Sequence, residues 1–216
     1  MKKIKKKYLL FDNDGVLVET EPYYYEANVK ALREFGLDLS FDAYMEIMAR
    51  GGNAWEVASK AGISKEEIDA KRKHRDIYYR EFISKHDIEI PCVVDVLEEL
   101  SKHYKMGIVT TSRRVDFDLI HHSKHITQYM DFTLCVEEYT RSKPHPDPYL
   151  AGMKKFGASK EECLVIEDSE RGLTAAFSAG IECAVVANEF TATHDFSNAT
   201  YKLKDLKELV TLLDTI

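Results

Sequence analysis

Short apolar runs rich in β-formers punctuate the chain at Tyr8–Phe11, Met106–Val109, Phe132–Val136, Cys163–Ile166 and Cys183–Val186. Helical periodicity separates most of them, and strands that alternate with helices predict a parallel sheet with helices packed on it. The helix ends carry their own signals. Ser159 with Glu162 forms an S-x-x-E opening, while Gly157 and Gly180 follow apolar-periodic segments as C-terminal stops. The expected fold class is α/β, a Rossmann-like parallel sheet flanked by helices.

One interval breaks this rhythm. Roughly ninety residues separate the first two runs, where a crossover connection needs only about a dozen. Inside it, Val29, Leu32 and Phe35 lead to a stop at Gly36, and Tyr44, Ile47 and Met48 lead to one at Gly51–Gly52. Ser64 with Glu67 opens a third pattern that continues through Ile68, Tyr79 and Phe82. These patterns predict an inserted α-helical cap domain over residues 18–87, with 1–17 and 88–216 forming the α/β core domain. Three of the five prolines crowd into Lys143-Pro144-His145-Pro146-Asp147-Pro148, which reads as a stiff extended loop.

Composition narrows the class of partner. A length of 216 residues suits a core with a smaller lid, and 44% hydrophobic with 31% charged residues is ordinary for a globular protein. A net charge of -7 argues against a nucleic-acid binder, which needs a basic surface to displace counterions from phosphates. The basic start at Lys2, Lys3, Lys5, Lys6 and Lys7 precedes an apolar stretch too short for a signal peptide, and no run approaches the length of a membrane span. A cytoplasmic protein with no membrane partner is expected. Cys92, Cys135, Cys163 and Cys183 lack the spacing of a zinc or redox site and read as free thiols.

The candidate chemistry lies at the carboxyl ends of the strands, where open α/β sheets bind ligands. The first strand runs into Phe11-Asp12-Asn13-Asp14-Gly15, and side chains two apart in an extended segment point the same way, so Asp12 and Asp14 would face one site. A turn after a strand would use the same residue types. Two carboxylates ask for a positive neutraliser, and Mg²⁺ fits because it takes carboxylate oxygens and a substrate phosphate oxygen together. Glu167-Asp168-Ser169 adds acids at a third strand end, though Ser169 also suits the cap of a helix over Glu170–Ala179. Val109-Thr110-Thr111-Ser112 brings hydroxyls and backbone N–H groups to the edge, where a helix starting near Arg113 can receive an anion. Lys143 offers an ammonium that could hold a phosphate oxygen and a carboxylate. At about 4 Å and an effective dielectric near 20, each like charge costs roughly 4 kcal/mol against Asp12, so an anionic substrate needs the cation and the lysine.

In order and placement these segments resemble the haloacid dehalogenase-like hydrolases. The match comprises Phe11-Asp12-Asn13-Asp14-Gly15-Val16-Leu17, Ile108-Val109-Thr110-Thr111-Ser112, Ser142-Lys143-Pro144 and Val165-Ile166-Glu167-Asp168-Ser169, and the insert resembles the helical cap of the sugar-phosphate phosphatase and β-phosphoglucomutase branch. The resemblance implies Asp12 as nucleophile and Asp14 as general acid/base. It makes Thr110, Thr111 and Lys143 phosphate-binding and gives the metal Asp12, Asp14 through its backbone carbonyl, and Asp168, with Glu167 behind them. Arg50-Gly51-Gly52-Asn53 reads either as a helix terminus with a glycine stop or as a cap loop whose Arg50 and Asn53 contact substrate, as its place in the insert allows. Asn13 stands where many members of that family have an apolar residue, and Glu19 where a shorter Asp is frequent.

The expected activity is hydrolysis of a small phosphorylated metabolite, a sugar phosphate or similar. A phosphomutase would use the same Asp12 phosphoenzyme, but the arginine it wants in the cap aligns with Asn53, three residues after Arg50. A metal-independent dehalogenase would be burdened by the extra acids Asp14 and Asp168. A receiver-type phosphoacceptor module carries its elements in another order and lacks the insert. The basic run Lys71-Arg72-Lys73-His74-Arg75 reads as a solvated helix surface.

Overall fold

The computed structural model of the chain describes residues 5–49 and 52–216. In chain order its elements are β1 (Tyr8–Phe11), α1 (Glu21–Arg33), α2 (Phe41–Ala49), α3 (Glu56–Lys60), α4 (Lys65–Lys85), α5 (Val93–Ser101), β2 (Lys105–Val109), α6 (Arg114–His121), β3 (Phe132–Leu134), α7 (Asp147–Phe156), β4 (Cys163–Glu167), α8 (Glu170–Ala179), β5 (Cys183–Val186), β6 (Tyr201–Leu203) and α9 (Glu208–Leu213). They divide into two compact units, one of residues 1–19 with 89–216 and one of residues 20–88.

The first unit is built on a six-stranded parallel sheet in the order β3-β2-β1-β4-β5-β6. Leu9, Leu10 and Phe11 of β1 and all five residues of β4 are buried, because a parallel sheet with helices on both faces leaves no strand face wet. Leu10, Val109 and Val165 meet Tyr149 of α7 and Leu173 and Ala176 of α8 in one apolar cluster. The strand order reverses at β1, so the carboxyl ends of β1, β2 and β4 open onto the switch-point crevice typical of such sheets. The expected α/β fold class is what the chain adopts.

Several local expectations change. β6 escaped the pattern because Tyr-Lys-Leu, with an exposed lysine at its centre, makes no apolar run, whereas the equally short edge strand β3 is prolonged in sequence by Cys135 and Val136. β3 stops at Leu134 and passes into a 3₁₀ turn at Val136–Glu138. The Ser159–Glu162 box closes only a 3₁₀ turn, since β4 begins at the next residue. The proline-rich stretch is a loop only as far as Pro146. Asp147 and Pro148 open α7, where a missing N–H leaves no helical bond unmade. Gly157 and Gly180 end α7 and α8 with φ of 63° and 71°, as left-handed C-terminal stops. The four cysteines are free, three of them buried.

In the second unit α1 packs along α4, burying Ala27, Ala31 and Leu32 of α1 with Ile68, Tyr79 and Ile83 of α4. Ser64 Oγ accepts the Glu67 N–H at 3.3 Å while Glu67 Oε2 accepts the Ser64 N–H at 3.1 Å, a complete capping box for α4. The basic run on α4 is only partly solvated. Lys71 donates to Glu34 at 2.6 Å, and Arg75 donates to Asn28 Oδ1 at 3.0 Å with its guanidinium 4.5 Å above the Tyr24 ring. These two lie one turn apart, so a helix packed on one side presents both to its neighbour while Lys73 and His74 stay exposed. Arg50, the Gly51 stop, Lys2 and Lys3 lie outside the described residues. No helix among the described residues is long and apolar enough to cross a membrane.

Candidate active site

Asp12 continues the β1 register by one residue, its N–H donating to Ile166 O at 2.9 Å. The chain then turns sharply, with Leu17 N bonded to Asn13 O at 2.8 Å and Gly15 N to Val18 O at 2.8 Å. Gly15 has φ +81°, and a methyl group there would lie 2.1 Å from Asp168 Oδ2. The loop leaving β1 therefore closes its backbone directly onto Asp168, which only glycine permits. Asn188 Nδ2 steadies that acid, donating to Asp168 Oδ2 at 2.8 Å.

Lys143 reaches the same place from the loop before α7. Its Nζ lies 2.8 Å from Asp12 Oδ1 and 2.6 Å from Glu167 Oε1, with the residue 4% exposed. Carboxylate oxygens of Asp12, Glu167 and Asp168 all lie within 4.8 Å of one another. Groups from three distant stretches thus converge at Asp12, on the scale of metal and hydrogen-bond contacts.

Charge is unevenly distributed in this cluster. Burial and the Glu167 charge hold the Asp12 carboxyl above its ordinary pKa against the pull of Lys143. Burial, then Glu167 and Asp12, do the same to Asp168. Burial acts on Glu167 in the same direction, but the Lys143 ammonium and the Tyr149 hydroxyl outweigh it and hold Glu167 low. For Lys143, burial is overcome by Asp12 and Glu167, and its pKa is raised. One ammonium therefore faces three carboxylates, and the excess negative charge suits a hard divalent cation. Glu167 has little capacity left for it. Its Oε1 accepts Lys143 and Tyr149 OH, the latter at 2.6 Å, and its Oε2 accepts the Asp168 N–H, Ser169 N–H and Ser169 hydroxyl at 3.1, 3.2 and 3.0 Å. Five donors fill a carboxylate with about four lone-pair sites, which leaves Asp12 and Asp168 as the side chains able to hold a cation.

Asp14 is held from the end of β2. Its Oδ2 accepts from Ser112 Oγ at 2.8 Å, Thr110 Oγ1 at 3.3 Å and Asn13 Nδ2 at 3.4 Å. Thr110 Oγ1 in turn accepts the Ser112 N–H at 3.0 Å, and Tyr139 OH donates to Thr110 O at 2.7 Å. The Thr110 hydroxyl, expected on phosphate, here contacts Asp14. Thr111 beside it is partly buried. The start of α6, expected to receive an anion, is already supplied with one, since the Arg114 N–H meets both Glu137 oxygens at 3.1 Å. Asn53 belongs to the second unit, where its Oδ1 accepts from Trp55 N at 3.0 Å and Arg72 at 3.2 Å.

Sequence reasoning placed the Ser112 hydroxyl at this edge without naming its partner, and it missed three contributors: Tyr149, Asn188 and His121. Ser112 and Asn188 follow β2 and β5 at the same sheet edge, so the strand-end rule that found Asp168 also reaches them. Tyr149 and His121 sit in helices, and nothing in their local pattern sets them apart from core.

A model of the haloacid dehalogenase-like hydrolases matches residues 9–186. The chain is 28% identical over 217 residues to protein CbbY of Rhodobacter capsulatus, covering 95% of this chain and 96% of that one. It is 29% identical over 192 residues to the phosphorylated carbohydrates phosphatase of Thermotoga maritima, covering 81% and 82%. The crystal structure of CbbY from Rhodobacter sphaeroides in complex with phosphate matches the fold with a TM-score of 0.81 at 20% identity, over 97% of this chain and 99% of that one. The matched segment runs from β1 through β5 and takes in every strand end that delivers a group to Asp12, so the chain belongs to the haloacid dehalogenase-like hydrolase family.

Proposed function

We propose that this chain is a Mg²⁺-dependent phosphatase that hydrolyses a small phosphomonoester, a sugar phosphate or similar metabolite, through an aspartyl-phosphate on Asp12. The observation that carries the reading is the Lys143 ammonium set between Asp12 and Glu167 at 2.8 and 2.6 Å, with Asp168 alongside. The likeness to a phosphatase of phosphorylated carbohydrates supports the substrate class.

In this reading an Asp12 carboxylate oxygen attacks phosphorus as the bond to the leaving oxygen breaks, and the Asp14 carboxyl gives its proton to that oxygen. Asp14 then takes a proton from the water that attacks the aspartyl-phosphate, which releases phosphate and restores both acids. Ser112, Thr110 and Asn13 orient Asp14 through Oδ2, and Lys143 neutralises charge on Asp12 and on the transferring group. Asp12, Asp168 and the Asp14 backbone carbonyl would hold the cation, with Glu167 behind them. Bound there, it supplies the positive charge that lets a phosphate dianion approach a carboxylate.

We assign the cap role to the helical unit, residues 20–88, and substrate contact to Arg50 and Asn53. The test is a panel of phosphorylated metabolites with Mg²⁺, following inorganic phosphate, alongside Asp12→Asn. Phosphate release that vanishes in the folded variant is expected. Sugar-phosphate isomerisation without phosphate release would convert the assignment to a mutase, and retained turnover in Asp12→Asn would remove the nucleophile.

A further inference from the structure

His121, in the last turn of α6, is a buried histidine that the reaction above does not use. It is 7% exposed, and its Nε2 lies 2.8 Å from Asn13 Oδ1. Asn13 itself has no exposure and stands between the two aspartates.

The hydrogen-bond inventory fixes the directions. Asp14 Oδ2, an acceptor when ionised, requires the Asn13 amide to present Nδ2, which it does at 3.4 Å. The Asn13 oxygen then faces the histidine, and an oxygen can only accept, so Nε2 must carry the imidazole proton. The other ring nitrogen, Nδ1, is buried with no hydrogen-bond partner among the described residues, as fits an unprotonated nitrogen against the Phe117 ring 4.4 Å away, centroid to centroid. Burial, partly countered by the Asp14 and Asp118 charges and reinforced by Lys124, pushes the imidazole pKa down to about 4, in keeping with a neutral ring.

We infer that His121 is a positioning residue: its Nε2–H locks the Asn13 amide so that Nδ2 faces Asp14 and helps orient the acid/base carboxyl. This rests on the proposed role of Asp14. An apolar residue at position 13 would leave Asp14 with Ser112 and Thr110 alone of these three donors, so the polar pair adds a third point of attachment through a side chain with no solvent exposure. A buried amide and a buried imidazole carry a desolvation cost unless each finds its partner, which explains why the two polar residues occur together.

The experiment compares kcat/KM for two probes in His121→Phe, His121→Gln and Asp14→Asn. Dinitrophenyl phosphate has a leaving group that needs no proton, whereas an alkyl phosphate, the best of the metabolite panel, needs one. Loss of one hydrogen bond in the chain to a charged group predicts about a tenfold fall in His121→Phe for the alkyl phosphate and less than about twofold for the aryl phosphate. His121→Gln, whose amide N–H₂ can replace Nε2–H, is expected to recover most of the loss. Asp14→Asn should show the same selectivity more strongly. If Asp14→Asn loses both probes equally, the acid assignment fails and takes the inference with it. If Asp14→Asn is selective while His121→Phe is not, or if glutamine gives no recovery, the positioning role alone is overturned. Should His121→Phe not fold, Asn13→Leu makes the same comparison, because it removes the same donor to Asp14.

Discussion

Gly172 offers a sharp test of how the site is held. It lies in the first turn of α8, and a methyl group there would place its carbon 1.7 Å from Glu167 Oε1, 1.9 Å from Cδ and 2.2 Å from Oε2. Ordinary contact starts near 3.4 Å, so Gly172→Ala cannot be accommodated without moving the carboxylate or the helix. Two effects compete. Alanine in a helix is favoured over glycine by about 1 kcal/mol. Displacing Glu167 strains five hydrogen bonds, the one from Lys143 among them, and breaking a buried charge pair costs about 3–5 kcal/mol. The loss wins, and the variant should be less stable by about 2–4 kcal/mol, a fall in Tm of roughly 5–15 °C for a chain of this size. Urea unfolding followed by circular dichroism measures the difference, and a phosphate-release assay with Mg²⁺ should show turnover falling with it, because Lys143 loses its second anchor. A variant as stable as the parent, or more so, would mean that the Glu167 cluster yields freely and that its tight packing against α8 matters little.

Lys143→Met should abolish phosphate release and cost about 3–5 kcal/mol in urea unfolding, because it strands the fully buried Glu167 charge and leaves Asp12 facing it. His121 predicts a pH dependence. Its folded pKa near 4 lies below the usual 6.5, so the unfolded chain binds the extra proton first and stability falls as pH drops from about 6.5 to 4. The contribution is up to about 3 kcal/mol, and His121→Phe should flatten that part of a stability-against-pH curve. In the helical unit, Ser64→Ala removes half of the α4 capping box and should lower stability by about 1 kcal/mol with no change in kcat for the aryl phosphate, read from chemical denaturation and steady-state kinetics.

Much of the architecture and of the candidate site lay open in the sequence, for a physical reason. Strands buried on both faces must be continuously apolar, which exposes β1, β4 and β5 to inspection, and polar groups directly after such runs must lie at one sheet edge if the strands are parallel. Asp12, Asp14, Thr110 and Asp168 could therefore be named as neighbours. Helix signals were equally local: Ser64 with Glu67, Ser169, Gly157 and Gly180 act within a turn of their own position. Where the signal was brief or ambiguous the pattern failed, as at β6, at the 3₁₀ turn after Ser159 and at the start of α7.

Partnership across the fold was decided by tertiary structure alone. The sequence offers Lys143 to a carboxylate, but its seat between Asp12 and Glu167 comes only with folding, and a tyrosine in α7 reads as core until its hydroxyl meets Glu167. The same is true of His121, whose partner lies 108 residues away, and of the short approaches at Gly15 and Gly172, where a missing Cβ makes room for a carboxylate. Periodicity and capping are properties of neighbours in sequence, so residues alone can state them. Hydrogen-bond direction, burial and the crowding of like charge depend on which distant segments the packed sheet brings within a few ångströms, and that the chain settles only when it folds.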